Sequence, residues 1–313
     1  NHFLTLAHAL AYQGYTTSSA HPYRRGFWNR AVLHPRYGFA SSVFKRELGE
    51  GQFVGWGLAD GLFFERMLPR LEAAAQPWFA FWVTLSLHHP YDEFPDNLVG
   101  DLELGELEGT RLGNYIQGMN YFDRSLQQLV KDLDERGLLD DTVIALYGDH
   151  DARFELDEHP KLLEIAGKGV WTPSTFAVME QVPFFVLLPD GALHGEINTL
   201  GGQIDIGPTL LHLLGVERPA SFVGHPLLPG LSREFAAYPN GSAYLDDRVF
   251  VRRGRDIPRG GACFFFPSGK PRPRADCDAL AKRARQELGL SRAVTDTDMQ
   301  RELAGVPADP SQD

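Results

Sequence analysis

The stretch from Thr142 to His150 constrains this chain more than any other. Thr142-Val143-Ile144-Ala145-Leu146-Tyr147 is a short apolar, β-branched run that stops at Gly148 and hands over to Asp149 and His150. A continuous apolar run bounded by glycine reads as a buried parallel strand. In open α/β sheets ligands bind just beyond the carboxyl ends of strands, which is where Asp149 and His150 fall. Neighbours on a continuing strand face opposite sides, so both reach one ion only where the backbone turns, and Gly148 is expected to supply that freedom. A carboxylate beside an imidazole suits Mn²⁺ or Zn²⁺ better than an all-oxygen Ca²⁺ cage. The plainer reading is an Asp capping a following helix, with a surface His beside it.

Composition narrows the classes. At 313 residues the chain can hold one large domain or two smaller ones. The net charge is −11 and nothing in the sequence resembles a basic stripe, which argues against nucleic acid as a partner. An acidic protein that handles an anionic substrate must make its positive charge locally, and that favours a metal site. No segment approaches the roughly 18 apolar residues of a membrane span, and no signal peptide opens the chain. With no initiator Met before Asn1-His2-Phe3-Leu4, the sequence is expected to be part of something longer. Cys263 and Cys277 close a short loop. They are either a disulfide of an oxidising compartment or two buried free thiols, and the sequence does not choose.

Helical periodicity marks residues 3–13, with Gly14 as a C-cap, then 58–76, 112–136 and 204–214, with Pro208 in the first turn of the last. In the helix over 112–136 the expected buried stripe is Tyr115, Met119, Phe122, Leu126 and Leu129. Strands are expected at 15–19, leading to His21, at 78–85, delivering His88 and His89 before Pro90, and at 142–147 and 182–189. A polar loop is expected from 148 to 161. Strands alternating with helices predict an α/β fold with a mixed, largely parallel sheet between helices. After about residue 230 the pattern changes to short strands around 244–245, 249–252 and 263–266, with turns at Asn240-Gly241 and Gly260-Gly261. A helix near 277–290 and a polar tail follow. The expected division is therefore 1–230 as the main unit and 231–313 as a small α+β subdomain.

Several segments, taken in order, resemble the sulfatase-like branch of the alkaline phosphatase superfamily, and most nearly the lipoteichoic acid synthase-type phosphoglycerol transferases. They are Gln13-Gly14-Tyr15-Thr16-Thr17, His21 with Phe27-Trp28-Asn29-Arg30, and Gly55-Trp56-Gly57-Leu58-Ala59-Asp60. Thr84-Leu85-Ser86-Leu87-His88-His89-Pro90, Tyr147-Gly148-Asp149-His150 and Gly202-Gln203-Ile204-Asp205-Ile206-Gly207-Pro208-Thr209-Leu210-Leu211 complete the set. The resemblance implies phosphoryl-group transfer through a covalent Thr intermediate with one divalent metal. Mn²⁺ is the first choice, with Zn²⁺, Mg²⁺ or Ca²⁺ as alternatives. It implies Asp149 and His150 as metal ligands, His88 as a catalytic residue, and His21, Trp28 and Arg30 as substrate-pocket residues.

Each role has a physical basis and a plainer competitor. Arg30 can grip a phosphate with a planar bidentate fork, or be a surface loop residue. His88 can donate to a phosphoryl oxygen or protonate a leaving alkoxide, and His89 is then the structural member of the pair. His21 gains interest only from its spacing to Trp28, which either walls a glycerol-sized pocket or simply packs. His159 is a candidate hydrogen-bond partner of a metal ligand. A metal-bound imidazole must be neutral, so metal affinity is expected to fall in acid.

In the family a catalytic Thr and an acidic ligand lie upstream of the segment resembling Asn1-His2-Phe3-Leu4. No residue here matches either, since Thr16 and Thr17 sit within a core strand. The expectation is the C-terminal part of an extracytoplasmic enzyme, in the periplasm or at the outer face of the inner membrane, inactive as these residues alone. Its membrane anchor would lie outside them. The substrate would be an anionic phospholipid headgroup or another phosphodiester, and the acceptor water or a glycan. Two other readings stand beside it: a sulfuric ester hydrolase, although neither cysteine begins a Cys-x-Pro-x-Arg motif, and a non-catalytic binding module.

Overall fold

Thr5 starts the first helix, α1 (Leu6–Ala11), by accepting a hydrogen bond from the His8 amide, and Gly14, at φ +86°, turns the chain out of it. The strand that follows, β1 (Thr16–Ala20), lies between two parallel neighbours, β2 (Ser41–Val43) and β5 (Trp78–Trp82). Parallel pairing requires crossovers. Those between β1 and β5 carry α2 (Arg30–Arg36), α3 (Lys45–Leu48), a small hairpin of β3 (Phe53–Val54) with β4 (Gly57–Leu58), and α4 (Asp60–Glu72). The computed structural model describes residues 3–305 apart from 156, 166, 168–180, 192–193, 246, 255–256 and 267.

The main core sits where α4 and α5 (Arg111–Glu135) cover this sheet. Phe63, Phe64, Met67, Leu68 and Leu71 recur at three- and four-residue intervals on α4 and are buried with Leu129 and Leu133 of α5. Burying each such side chain contributes about 1.5–3 kcal/mol. The expected stripe on α5 is partly corrected. Its inner face runs through Tyr121, Ser125, Leu129 and Leu133, with Phe122 and Leu126 flanking, while Met119 is 48% exposed. Met119 lies one position off the inner row, and single-residue offsets on a helix move a side chain by about 100°.

The strand expected at 142–147 is also corrected in direction and burial. β6 (Ile144–Tyr147) pairs antiparallel with β7 (Phe184–Leu187), from Ile144 opposite Leu187 to Tyr147 opposite Phe184, and its residues are half-buried. An apolar run records that both faces are covered to some degree, not which way the partner runs. Among the described residues β5 pairs only with β1 and β6 only with β7, so each keeps one open edge. Ile144 still packs against the core cluster that Trp78, Ala80 and Trp82 touch. The result is the mixed α/β arrangement that the sequence implies. Part of the expected polar loop is helical, as α6 (His159–Ile165), and α7 (Ile206–Leu213) carries Pro208 in its first turn as expected.

Beyond residue 230, β8 (Phe235–Ala237), β9 (Ala243–Leu245), β10 (Arg248–Val251), β11 (Ala262–Phe265) and β12 (Pro271–Arg272) form one antiparallel sheet, backed by α8 (Asp278–Asp296); α9 (Gln300–Leu303) follows. Cys263 on β11 and Cys277 just before α8 form a disulfide with Cα atoms 5.7 Å apart, which selects one of the two states left open by the sequence. The bond closes a loop of sequence separation 14. The Cys263→Ala/Cys277→Ala variant is therefore expected to lose about 3 kcal/mol in urea unfolding, and an unchanged midpoint would show that the loop is held without it. No helix among the described residues is long and apolar enough to cross a membrane.

Candidate functional site

Three strands end at the same place. β1 runs into His21, β5 into the segment that carries His88 and His89, and β6 into Asp149 and His150. Carboxyl ends of strands converge on one edge of an α/β sheet, so the five residues are gathered by topology. The His88 and His150 rings lie 5.6 Å apart, and those of His88 and His89 4.3 Å apart. His21 is 1% exposed and within electrostatic reach of Arg30 and His88, and Arg30 is in turn coupled to Asp149.

Three histidines are oriented in one way. The Nδ1 of His21 lies 3.2 Å from the Val83 carbonyl, that of His88 2.7 Å from the His89 carbonyl, and that of His150 2.7 Å from the Asp151 carbonyl. A carbonyl oxygen can only accept, so each Nδ1 carries the proton and donates it. Each ring therefore presents Nε2, the pattern by which metal-ligating or proton-transferring histidines are commonly held.

Arg30 opens α2 immediately after an unusual turn. Trp28 and Asn29 both sit in the left-handed region, at φ 53°, a conformation that side chains with a Cβ seldom take and that tertiary structure must hold in place. The turn aims Arg30 inward, where its guanidinium lies 5.5 Å from the Phe27 ring and Nη1 is buried with no hydrogen-bond partner among the described residues. Burial pulls the Arg30 pKa down and Asp149 partly restores it. Trp28 stands at the rim, 74% exposed, its ring 6.1 Å from Phe27.

The sequence motifs contain three further residues whose roles only the fold reveals. The Trp56 ring lies 4.5 Å from His88, 5.5 Å from His89 and 6.0 Å from Phe27, and so joins the histidine pair to the Trp28 turn. The fully buried Asp60 carboxylate accepts the amides of Leu85 and Ser86 at 2.9 and 3.2 Å, fixing the backbone that leads to His88. Gln203 donates to the carbonyls of Gly148 and Asp149 at 2.7 and 2.8 Å and holds the other ligand-bearing turn. Gly148 departs from expectation. It has no positive φ, and glycine is required there because a Cβ would come 2.9 Å from Val182. His159 opens α6, and its Nε2 meets the Phe154 carbonyl at 3.0 Å.

The donors present suit a divalent ion in type but not in number. The Asp149 carboxylate and His150 Nε2 are 3.7 Å apart, and the tautomer of His150 leaves Nε2 free to ligate. Type and orientation suit Mn²⁺ or Zn²⁺. Number does not complete a shell, because no group of three or more His, Cys, Asp or Glu among the described residues is arranged to hold a metal.

Two buried groups give the site a testable pH signature. Burial, and then Arg30, hold the His21 pKa at about 4, below the 6.5 of a free imidazole. As pH falls the unfolded chain takes this proton first, so stability from His21 is complete above about 6.5 and lost towards 4. Burial raises the Asp60 carboxyl to about 6, against hydrogen bonds that lower it. Its contribution is present below about 4 and lost as pH rises through 6. The two slopes oppose each other between pH 4 and 6. Asp60→Asn removes one, so the urea midpoint of that variant is expected to climb with pH more steeply than the wild type. Parallel profiles would contradict the assignment.

Comparison with known proteins adds an independent line. The sulfatase family model matches residues 1–216. The lipoteichoic acid synthase-like protein YvgJ of Bacillus subtilis is 29% identical over 307 residues, covering 96% of this chain and 48% of that protein. Lipoteichoic acid synthase 1 of the same organism is 34% identical over 209 residues, 66% of this chain and 32% of the relative. The chain thus spans about half the length of the first relative and about a third of the second. Among solved structures, the lipoteichoic acid synthase LtaP of Listeria monocytogenes superposes with a TM-score of 0.79 at 24% identity, over 98% of this chain and 74% of that one. An alkaline phosphatase superfamily protein of Vibrio parahaemolyticus gives 0.70 at 22% identity, over 98% and 71%. Those two structures share the fold described above.

Proposed function

The chain belongs to the sulfatase family, and from that premise we propose that it is part of a metal-dependent phosphoglycerol transferase or phosphodiesterase acting on anionic phospholipid headgroups. The observation that carries the reading is the buried Arg30 Nη1 with no hydrogen-bond partner among the described residues, beside a site where histidines present Nε2. A buried guanidinium nitrogen left unpaired is costly unless an anion completes it. Arg30 then binds the phosphoryl oxygens through its fork and stabilises charge developing on them. His21, neutral at physiological pH and donating from Nδ1, offers its Nε2 lone pair to a glycerol hydroxyl, with Trp28 as the outer wall. His88, held by its Nδ1 donation to the His89 carbonyl, turns Nε2 to the departing diacylglycerol oxygen and is the group that assists its departure.

Asp149 and His150 are the residues that would hold the ion, Mn²⁺ before Zn²⁺, Mg²⁺ or Ca²⁺, and the ion would supply Lewis-acid neutralisation of the phosphoryl charge. The nucleophile is a Thr from outside residues 1–313, so these residues alone do not turn over substrate. Transfer of the phosphoglycerol group to an acceptor hydroxyl, of a glycan for example, extends a product, and transfer to water gives hydrolysis. Residues 1–230 form the catalytic portion and 231–313 an α+β unit docked on it. An extracytoplasmic setting accords with the disulfide, which persists in oxidising compartments.

The test is divalent-metal-dependent release of diacylglycerol from phosphatidylglycerol by the full-length polypeptide, with an aryl sulfate ester as the competing substrate. Release from the phospholipid supports the proposal. Turnover of the sulfate ester alone would replace it with a sulfatase, and a folded protein that binds no divalent ion would leave the non-catalytic module.

A further inference from the structure

A chain of charged side chains crosses from α8 to the turn beside the candidate site. Asp205, 2% exposed, ends the single helical turn Gln203–Asp205. One oxygen of its carboxylate accepts the Gly202 amide at 2.9 Å, and the other accepts the His225 amide at 2.8 Å. Arg233 Nη2 donates to that second oxygen at 3.2 Å. The other arm of the Arg233 fork, Nη1, is ion-paired with Glu287 of α8, whose second oxygen lies 2.9 Å from Arg283.

Arg233 is fixed from both sides along the backbone as well. Ser232 Oγ donates to the Leu200 carbonyl at 3.1 Å, and the Glu234 carboxylate accepts the Leu200 amide at 3.0 Å. Gln203, two residues before Asp205 in the same turn, donates to the carbonyls of Gly148 and Asp149. Hydrogen bonds and ion pairs therefore run without a break from Glu287, through Arg233 and the Asp205 turn, to the residues that precede His150. Stability alone is a poor reason for such a chain. Buried ion pairs often contribute no more than apolar side chains of the same volume. The Arg233 Nε is also buried with no hydrogen-bond partner among the described residues, which costs further. What the chain does supply is geometry, because a planar guanidinium engaged by two carboxylates fixes where each of them lies.

We propose that Arg233 and Asp205 are positioning residues for the candidate site. Through Gln203 they hold the turn that presents Asp149 and His150, and Glu287 anchors them to α8. The C-terminal unit is then a component of the site and not an appended module. The proposal rests on the reading of that turn as part of the reactive centre.

The experiment compares the wild type, Arg233→Met, Gln203→Ala and the double variant as full-length polypeptides, by amide hydrogen exchange and by steady-state turnover. The Gly148 amide, bonded to the Pro183 carbonyl at 3.1 Å, reports the turn, and the amides of β1 report the rest of the fold. In Arg233→Met, exchange at Gly148 is expected to rise by about tenfold or more while β1 is unchanged. Release of diacylglycerol is expected to fall about tenfold in kcat with KM within about twofold, the mark of misplaced reacting groups. The double variant is expected to match Gln203→Ala within about twofold, because the effect of Arg233 passes through Gln203. Should Arg233→Met fail to fold, Glu287→Gln removes only the outer pair, at a partly exposed carboxylate, and is expected to raise Gly148 exchange about threefold. An undisturbed Gly148 amide, exchange that rises equally in β1, or a loss in the double variant equal to the sum of the single losses would each overturn the proposal. If the wild type turns over only an aryl sulfate ester, the functional reading falls and the same cycle, read on that ester, still decides this one. Without turnover of either substrate, the exchange data decide it alone.

Discussion

Arg30→Lys is expected to lower turnover of a phosphodiester substrate about a hundredfold or more in the full-length polypeptide while leaving it folded. The guanidinium presents two parallel donors to one phosphate, whereas an ammonium is a single point charge on a flexible stem. The turn that delivers the fork, with Trp28 and Asn29 both at φ 53°, places the end of the side chain and not merely its charge. Arg30→Met sharpens the test. It removes a buried donor that has no partner among the described residues, so its melting temperature is expected to equal or exceed the wild type's while activity disappears. Activity within about threefold of wild type in Arg30→Lys would mean that charge alone is needed there. A fall in melting temperature for Arg30→Met would mean that Arg30 serves the fold.

The second large effect is expected at His150. Removing its ring in His150→Ala leaves Asp149 as the sole donor of the pair, and Mn²⁺ affinity, read by calorimetry on the full-length polypeptide, is expected to fall at least a hundredfold. The ring is exposed, meets the His88 ring edge-on and donates from Nδ1 to the adjacent Asp151 carbonyl, so thermal stability without metal should change little. Gln203→Ala serves as the graded comparison, because it loosens the carbonyls of Gly148 and Asp149 without deleting a donor. Undiminished Mn²⁺ binding by His150→Ala would remove both residues from the metal role.

The sequence carried the elements and the ordered motifs well because local signals set them. Apolar spacing on α4, Gly14 after α1 and Pro208 at the start of α7 all act within a few residues. His21 and His88 were legible only through the ordered resemblance of their motifs, while Asp149 and His150 were also marked by the strand end before them. Pairing direction was not legible. Ile144–Tyr147 carries the same apolar run whether its partner is parallel or, as found, antiparallel Phe184–Leu187. Nor were the supporting roles of Asp60, Trp56 and Gln203, whose partners lie far away in sequence: Ser86, His88 and Asp149 are set by the fold and leave no periodic trace.

The register of β1 has a consequence for the order in which the molecule assembles. β1 cannot complete its pairing until Trp78–Trp82 exists, and the His21 contact with Val83 bridges 62 positions of chain. Closing so large a loop costs entropy before any contact returns it, which slows folding. In the sheet of β8 to β12 neighbouring strands meet through short antiparallel connections, as where Arg248 faces Leu245. During refolding from denaturant, amides of β9 and β10 should therefore gain protection from hydrogen exchange before those of β1. The part of the molecule that holds the candidate chemistry is then the last to be built, and the histidines meet only after the far end of the chain has taken shape.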